Sequence, residues 1–257
     1  MRKVIGFHSC LEVLRVRPRA IAAILVREGW AEAQGESSEF LKLVKNYRVP
    51  LRNVSPKVLD QVGEGHQGVA MEVREAPELD FGKIGEKESS LLLALDGITD
   101  PQNLGAMLRT SWLLGSDGIL LPKSRSVGLT PAASKVASGG AEHVPLWVDS
   151  SLSSPLSSLK DKGFWVFGLS EKGTRSLWDL RIPEKIVWAV GSEGEGLRAQ
   201  TLKFCDELVR IPQMSESASL NAATSAALAM GETQRQWSLS GKPEMPKISN
   251  KKVNRNL

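Results

Sequence analysis

Cysteine and histidine are scarce: Cys10 and Cys205 are the only cysteines in 257 residues, and His8, His66 and His143 the only histidines. Two thiols so far apart in sequence suggest neither a disulfide framework nor a CxxC knuckle, and no His or Cys pair stands at metal-ligand spacing. No metal site is expected, and both thiols are expected to be reduced and structural. A G-x-S-x-G elbow and a G-x-x-x-x-G-K-[ST] loop are also missing, which argues against a serine hydrolase and a P-loop NTPase. No apolar run approaches the ~20 residues that span a bilayer, and Met1-Arg2-Lys3-Val4-Ile5-Gly6 lacks the apolar core of a signal peptide. The expectation is a cytoplasmic protein without a membrane partner. An excess of one charge is lacking too: 33 Lys and Arg against 29 Asp and Glu leave +4, which permits nucleic-acid binding without demanding it.

What is present is an ordinary globular composition, 41% hydrophobic and 24% charged, long enough for two modest domains. Residues 1–75 read as a small α/β unit. Ala20 to Val26 is a buried run, Gly68 to Val73 alternates as a strand does, and two helices lie between, one over about Ser38 to Tyr47 and one opening at Ser55-Pro56. Basic residues gather at Arg15, Arg17 and Arg19, and again in the tail at Lys242, Lys247, Lys251, Lys252 and Arg255. Each cluster is either a solvated surface or a phosphate-contacting patch. Residues 76–89 mix Pro, Gly and charge without periodicity and read as a linker.

From residue 90 to 237 buried strands recur with helices between several of them: Leu91–Leu95, Gly118–Leu121, Val144–Val148, Phe164–Gly168, Ile186–Val190 and Glu207–Ile211. That spacing predicts a mainly parallel sheet between helices. Thr130 reads as a helix cap, the Ser150–Ser158 stretch as a loop leading into a short helix, and Leu220–Trp237 as a long Ala-rich helix. Residues 238–257 remain as a basic tail.

Three loops follow buried strands at their carboxyl ends, where open α/β sheets place ligands. In Asp96-Gly97-Ile98-Thr99-Asp100-Pro101-Gln102-Asn103, the glycine and proline enforce a turn and Asn103 can cap the next helix. Arg109 lies on that helix about 120° round from Asn103, off the Leu104/Met107/Leu108 stripe, so it faces a polar ligand or merely solvent. Gly191-Ser192-Glu193-Gly194-Glu195-Gly196 has the order G-x-x-G-x-G, not the G-x-G-x-x-G of a dinucleotide site, and its carboxylates would repel a pyrophosphate. It suits a cationic ligand such as a sulfonium, or is simply a glycine-rich turn. In Ile211-Pro212 to Ser225, Ser219 reads as an N-cap, which leaves Asn221 inside the first helical turn, where its low propensity points to a functional demand.

In that order, these three segments resemble the three motifs of the SpoU (TrmH) class of SPOUT RNA 2′-O-ribose methyltransferases, across residues 90–237. Gly6-Phe7-His8-Ser9 and His66-Gln67-Gly68-Val69-Ala70 are similar to the ends of the ribosomal-protein-like RNA-binding domain that precedes it in many members. The resemblance is closest to bacterial enzymes that methylate a guanosine ribose in large-subunit ribosomal RNA. It implies an α/β fold with a trefoil-knotted, mainly parallel sheet, a homodimer packed through the knot, and S-adenosylmethionine bound in the knot. By the same resemblance the cofactor is held by Gly191, Ile211 and Leu220, with Gly168, Leu169 and Gly196 beside it. Arg109, Asn103, Glu193, Ser219 and Asn221 are implied as catalytic, and the basic run Arg15, Arg17 and Arg19 of the first domain is expected to contact RNA phosphates. The chain departs from many members at Ala223, where a hydroxyl residue is common. Two other readings stay open: a tRNA ribose methyltransferase, and a non-catalytic RNA-binding or ribosome-assembly protein of the same fold.

Overall fold

The computed structural model describes residues 1–35, 38–74, 76–215 and 218–240; the basic tail lies outside the described residues. The first unit is a four-stranded sheet in the order β1-β4-β2-β3, with β1 at Arg2–Ile5, β2 at Ile21–Arg27, β3 at Leu51–Val54 and β4 at Val69–Val73. β2 runs parallel to β3, and the other pairings are antiparallel. α1 (Phe7–Val16), α2 (Trp30–Gln34) and α3 (Glu39–Tyr47) cover one face through Leu14, Trp30, Phe40 and Val44, and α4 (Pro56–Val62) covers the other through Leu59. The helices over 39–47 and 56–62 and the strands at 21–27 and 69–73 agree with the sequence pattern; β1, α1, α2 and β3 do not appear in it. β1 and β3 are four-residue strands, too short for alternation to declare itself. Glycine at Gly6 (φ 87°) lets the chain turn from β1 straight into α1.

The second unit is a seven-stranded sheet, all parallel, in the order β7-β6-β5-β10-β8-β11-β9. Its central strands are β5 (Ser90–Asp96) and β10 (Lys185–Gly191), flanked by β6 (Gly118–Pro122), β7 (Leu146–Asp149), β8 (Trp165–Leu169), β9 (Arg175–Ser176) and β11 (Glu207–Arg210). β5 is buried along its whole length, as a strand covered on both faces must be. One face carries α5 (Pro101–Leu113), α6 (Pro131–Ala137), α7 (Gly140–His143) and α10 (Ala222–Leu239), packed on Leu93, Leu95, Trp188 and Val190; the other carries α8 (Ser153–Asp161) and α9 (Ala199–Leu202), over Leu92, Val187 and Ala189. Trp188 is fully buried, and its indole N–H donates to Thr233 Oγ1 at 3.0 Å. As expected, Thr130 caps α6, accepting from Ala133 N.

Residues 76–89 are not a free tether. Glu78 bridges to Leu146 at the β7 edge, Leu79 and Ile84 are buried against Leu92 and Leu120, and Phe81 packs on Trp147 with centroids 4.5 Å apart. Three apolar side chains spaced irregularly through a polar segment leave no periodic signal, yet they suffice to lay it on the sheet.

The two units meet where β1 and α1 pack on α6 and α7. The contact is polar at its centre: buried Arg2 pairs with buried Glu142, Arg17 reaches the same carboxylate at 3.1 Å, and Glu12 accepts from His143 at 2.9 Å. His143 in turn stacks on Trp112, with centroids 4.1 Å apart and planes at 8°. Burial raises the Glu12 carboxyl, but hydrogen bonds from His143 and Arg15 outweigh it and hold the group below the usual carboxylate range. A depressed carboxyl contributes stability that is complete above the ordinary glutamate value near ~4.3 and is lost as pH falls through the lowered one. Glu12→Gln is therefore expected to lower stability at neutral pH by about 1–3 kcal/mol and to lose less on acidification than the parent. Thermal unfolding from neutral pH down to about pH 3 checks both.

Candidate active site

The first two loops leave the carboxyl ends of adjacent strands, since β5 and β10 pair in register with Asp96 beside Gly191, and the third leaves the same edge after β11, with β8 between it and β10. Asp100, not Asn103, caps α5: its carboxylate accepts from Gln102 N at 2.8 Å, with Pro101 at the first helical position. The capping expected of Asn103 is thus corrected. Asn103 lies one turn inside the helix, buried, and its amide donates to Glu193 Oε1 at 2.9 Å.

Asn221 is corrected in the opposite sense. α10 starts at Ala222, and Asn221, not Ser219, is its N-cap, with Oδ1 accepting from Ala223 N at 2.9 Å and Thr224 N at 3.2 Å. Propensity no longer needs explaining, since Asn is among the best N-caps. The cap has a second effect. With Oδ1 committed to the helix, Nδ2 must face the other way, where it donates to Glu193 Oε1 at 2.6 Å and to Asn103 Oδ1 at 2.8 Å. One residue from each loop therefore closes a single hydrogen-bonded ring. Glu193 Oε1 takes two amide donors, and Oε2 is left without a protein partner among the described residues.

Beside this ring lies a cleft of about 310 Å³ over β10, β8 and β11, lined by Leu169, Gly191, Gly196, Ile211, Ser219 and Leu220 among others. That volume is at the small end of the range for small-molecule sites, roughly 300–1,000 Å³. Five of the six residues implied for the cofactor are in its wall. Gly168 is not: it is buried one residue back, where a side chain would meet Leu197, Leu208 and Cys205. Ser170, Glu171, Lys172 and Gln213 also line the cleft and escaped the sequence reading, since isolated polar residues in loops carry no pattern. Ser225 lines it too, so a hydroxyl borders the cleft although Ala223 carries none.

The glycine loop has a steric logic. A Cβ on Gly191 would lie 2.1 Å from Gly196 C and 2.3 Å from Leu197 N, backbone that cannot yield as a side chain would. Arg198 ties the end of the loop to β5, its N–H donating to buried Asp96 at 2.8 Å. Gly191→Ala is expected to displace the loop and weaken cofactor binding about 10- to 100-fold, an overpacking cost of ~1–3 kcal/mol, while circular dichroism stays that of the parent. Calorimetric titration reads the affinity.

The remaining candidates stand apart from the ring. Arg109 is exposed, about 9 Å along α5 from Asn103, and no hydrogen bond or ion pair holds it among the described residues. Arg15 is held by Glu39 at 2.6 and 2.8 Å and by Glu12 at 2.5 Å, and Arg17 by Glu142; only Arg19 of the three is exposed without a partner there. Spacing in sequence shows where cations cluster, not whether carboxylates of other elements neutralise them. The two segments resembling the ends of an RNA-binding domain meet, Phe7 N donating to Gln67 Oε1 at 2.9 Å. No group of His, Cys, Asp and Glu suited to a metal occurs among the described residues.

The profile of the SpoU rRNA Methylase family matches residues 90–231, more than half of the chain. The chain belongs to the SpoU family. A second profile, RNA 2′-O ribose methyltransferase substrate binding, matches residues 3–79. Among curated relatives of this SpoU chain, 23S rRNA (guanosine-2′-O-)-methyltransferase RlmB of Neisseria meningitidis serogroup B is 35% identical over 91% of the chain and 95% of its own length. A putative TrmH family tRNA/rRNA methyltransferase of Staphylococcus aureus is also 35% identical, over 91% and 95%. The SpoU methyltransferase AviRb of Streptomyces viridochromogenes, solved with AdoMet, superposes with a TM-score of 0.78 at 22% identity over 93% of this chain and 91% of its own. That likeness establishes the SpoU fold.

Proposed function

We propose that this SpoU protein transfers a methyl group from S-adenosylmethionine to a ribose 2′-hydroxyl of structured RNA, a guanosine of the large-subunit ribosomal RNA, in the cytoplasm. The observation that carries the reading is the Asn103–Glu193–Asn221 ring at the mouth of the cleft. The cleft fits the cofactor. Val190, Leu197 and Leu208 offer apolar wall, the close-packed glycine loop offers bare main chain, and Glu193 and Glu195 offer negative charge toward a cation. Gly191, Ile211 and Leu220 would hold it through main-chain groups, with Leu169 and Gly196 beside them. When bound, S-adenosylmethionine supplies an electrophilic methyl on a sulfonium.

What the chain must add is position and a destination for the hydroxyl proton. Glu193 Oε2 is the side-chain oxygen of the ring left free, and we assign it the hydrogen bond from the 2′-hydroxyl; Asn103 and Asn221 hold the Glu193 side chain in place. Arg109 is unsuited to be the base because a guanidinium with pKa above about 12 keeps its proton. Exposed and unpaired, it suits a phosphate or a developing alkoxide. Ser219 shapes the wall. Residues 1–75 would hold the RNA, with Arg19 the one exposed, partnerless cation of the Arg15, Arg17 and Arg19 run among the described residues, and residues 90–237 would carry the reaction. The resemblance to the family implies a homodimer packed through the knot region. The β10–β8–β11 crossing is consistent with the knot.

The test uses labelled S-adenosylmethionine and a ribosomal RNA fragment with a chelator present. Label appearing in alkali-stable dinucleotides, where a 2′-O-methyl group blocks cleavage, is the expected result. Label in tRNA alone would move the substrate, and RNA binding without cofactor binding would make the chain a binder.

A further inference from the structure

The order of the strands lays out more than the cofactor and the ring. The cleft lies over β10, β8 and β11, and the ring over the β10–β5 boundary. The next strand, β6, is about 4.8 Å beyond β5 and is followed by the loop Lys123-Ser124-Arg125-Ser126. Lys123 and Arg125 are exposed, and neither has a hydrogen-bond or ion-pair partner for its side chain among the described residues. Two cations in a short loop form no charge run, so nothing in the sequence singles them out.

This loop is held in place. Val127 N donates to Ile98 O at 2.8 Å and Ser126 Oγ to the same carbonyl at 3.3 Å, which ties it to the segment that opens α5. Arg198, paired with Asp96 at 3.4 Å, donates to Arg125 O at 3.4 Å, and a Cβ on Gly97 would lie 2.8 Å from that same guanidinium and 3.6 Å from Ser192 Cβ. Arg198 thus joins the Arg125 backbone to Asp96 at the end of β5, and the missing side chain of Gly97 leaves room for its guanidinium. Arg125 itself takes φ 55°, uncommon for a residue with a Cβ. The carboxylates nearby are engaged: Asp96 by Arg198, Asp100 by Gln102 N, and Asp149, whose carbonyl accepts from Lys123 N, by Ser150 N at 2.5 Å. On the far side of the ring from the cleft, then, Lys123 and Arg125 stand without an ion-pair partner among the described residues.

We propose that Lys123 and Arg125 are a phosphate-binding platform that holds the RNA backbone next to the target ribose. The inference rests on the methyl-transfer reading and extends it: methyl donor, acceptor hydroxyl and flanking phosphate lie in strand order. A ribose at the ring places its neighbouring phosphates one sugar unit away, on the scale of one strand spacing, and the β6 loop is the cationic surface at that distance. These are positioning residues, since they touch the polymer and not the reacting atoms.

The test is the double variant Lys123→Gln/Arg125→Gln beside Arg125→Lys, measured on the full chain with a ribosomal RNA fragment at several salt concentrations. Loss of two phosphate contacts is expected to reduce the slope of log affinity against log salt by about 1.4–1.8. KM for RNA should rise roughly tenfold or more, with cofactor affinity and single-turnover rate at saturating RNA within a few-fold of the parent. Arg125→Lys should keep most of the slope. An unchanged slope and KM in a double variant that still methylates overturns the platform and leaves the function standing. A parent protein that methylates no RNA overturns the function, and the platform with it. A fall in single-turnover rate at saturating RNA would place these residues in the chemical step and overturn the positioning role.

Discussion

Arg109→Lys is expected to fold, to bind S-adenosylmethionine as the parent does, and to lose methyl transfer by a factor of about 10²–10³, the usual cost of one well-placed transition-state contact. Folding should survive because the side chain is exposed and partnerless among the described residues, and cofactor binding because Arg109 is not in the cleft wall. Lysine keeps the charge and loses the planar fork that grips a ribose oxygen and a phosphate together. Single-turnover transfer of labelled methyl at saturating cofactor and RNA decides between the possibilities. A lysine variant within a few-fold of the parent would show that charge alone suffices. One unable to bind cofactor would make Arg109 structural.

Asn221→Asp is expected to separate the two functions of that side chain. Aspartate caps helices as well as asparagine, so the melting temperature should stay close to the parent's. At the ring, however, the donor facing Glu193 Oε1 at 2.6 Å and Asn103 Oδ1 at 2.8 Å becomes an acceptor. Two carboxylates that close cannot both ionise without penalty, and one of the pair takes up a proton. Transfer should fall about 100-fold or more at neutral pH and recover in part as pH is lowered and the shared proton restores a donor. Asn221→Ala should instead lose the cap as well, ~1 kcal/mol of stability, with no recovery at low pH. An aspartate variant with parental activity at neutral pH would reduce the ring to a structural knot of hydrogen bonds.

Much of the catalytic half was legible before any coordinates. Long apolar runs at 91–95 and 186–190 could only be strands covered on both faces, and the loops after them could only lie at the ligand-bearing edge. The glycines of 191–196 declared a close approach, and the structure shows what approaches: the loop's own backbone. The helix caps were read less well. At Asn103 and Ser219 any of several adjacent polar residues could begin the helix, and propensity differences of a few tenths of a kcal/mol do not choose among them.

Composition and periodicity by themselves determined the class of sheet and the three loops, because each depends on residues close in sequence. Only the tertiary structure decided which polar groups find partners. Asn103, Glu193 and Asn221 are separated by 90 and 28 residues and meet because β5 and β10 pair and α10 returns to them. The same reason governs the cations. Arg15 and Arg17 looked available in the sequence but are taken by Glu12, Glu39 and Glu142, whereas Lys123 and Arg125 looked incidental and stand unpaired beside the ring. Whether a charge is spent inside the protein or offered to a ligand depends on carboxylates that arrive from elsewhere in the chain.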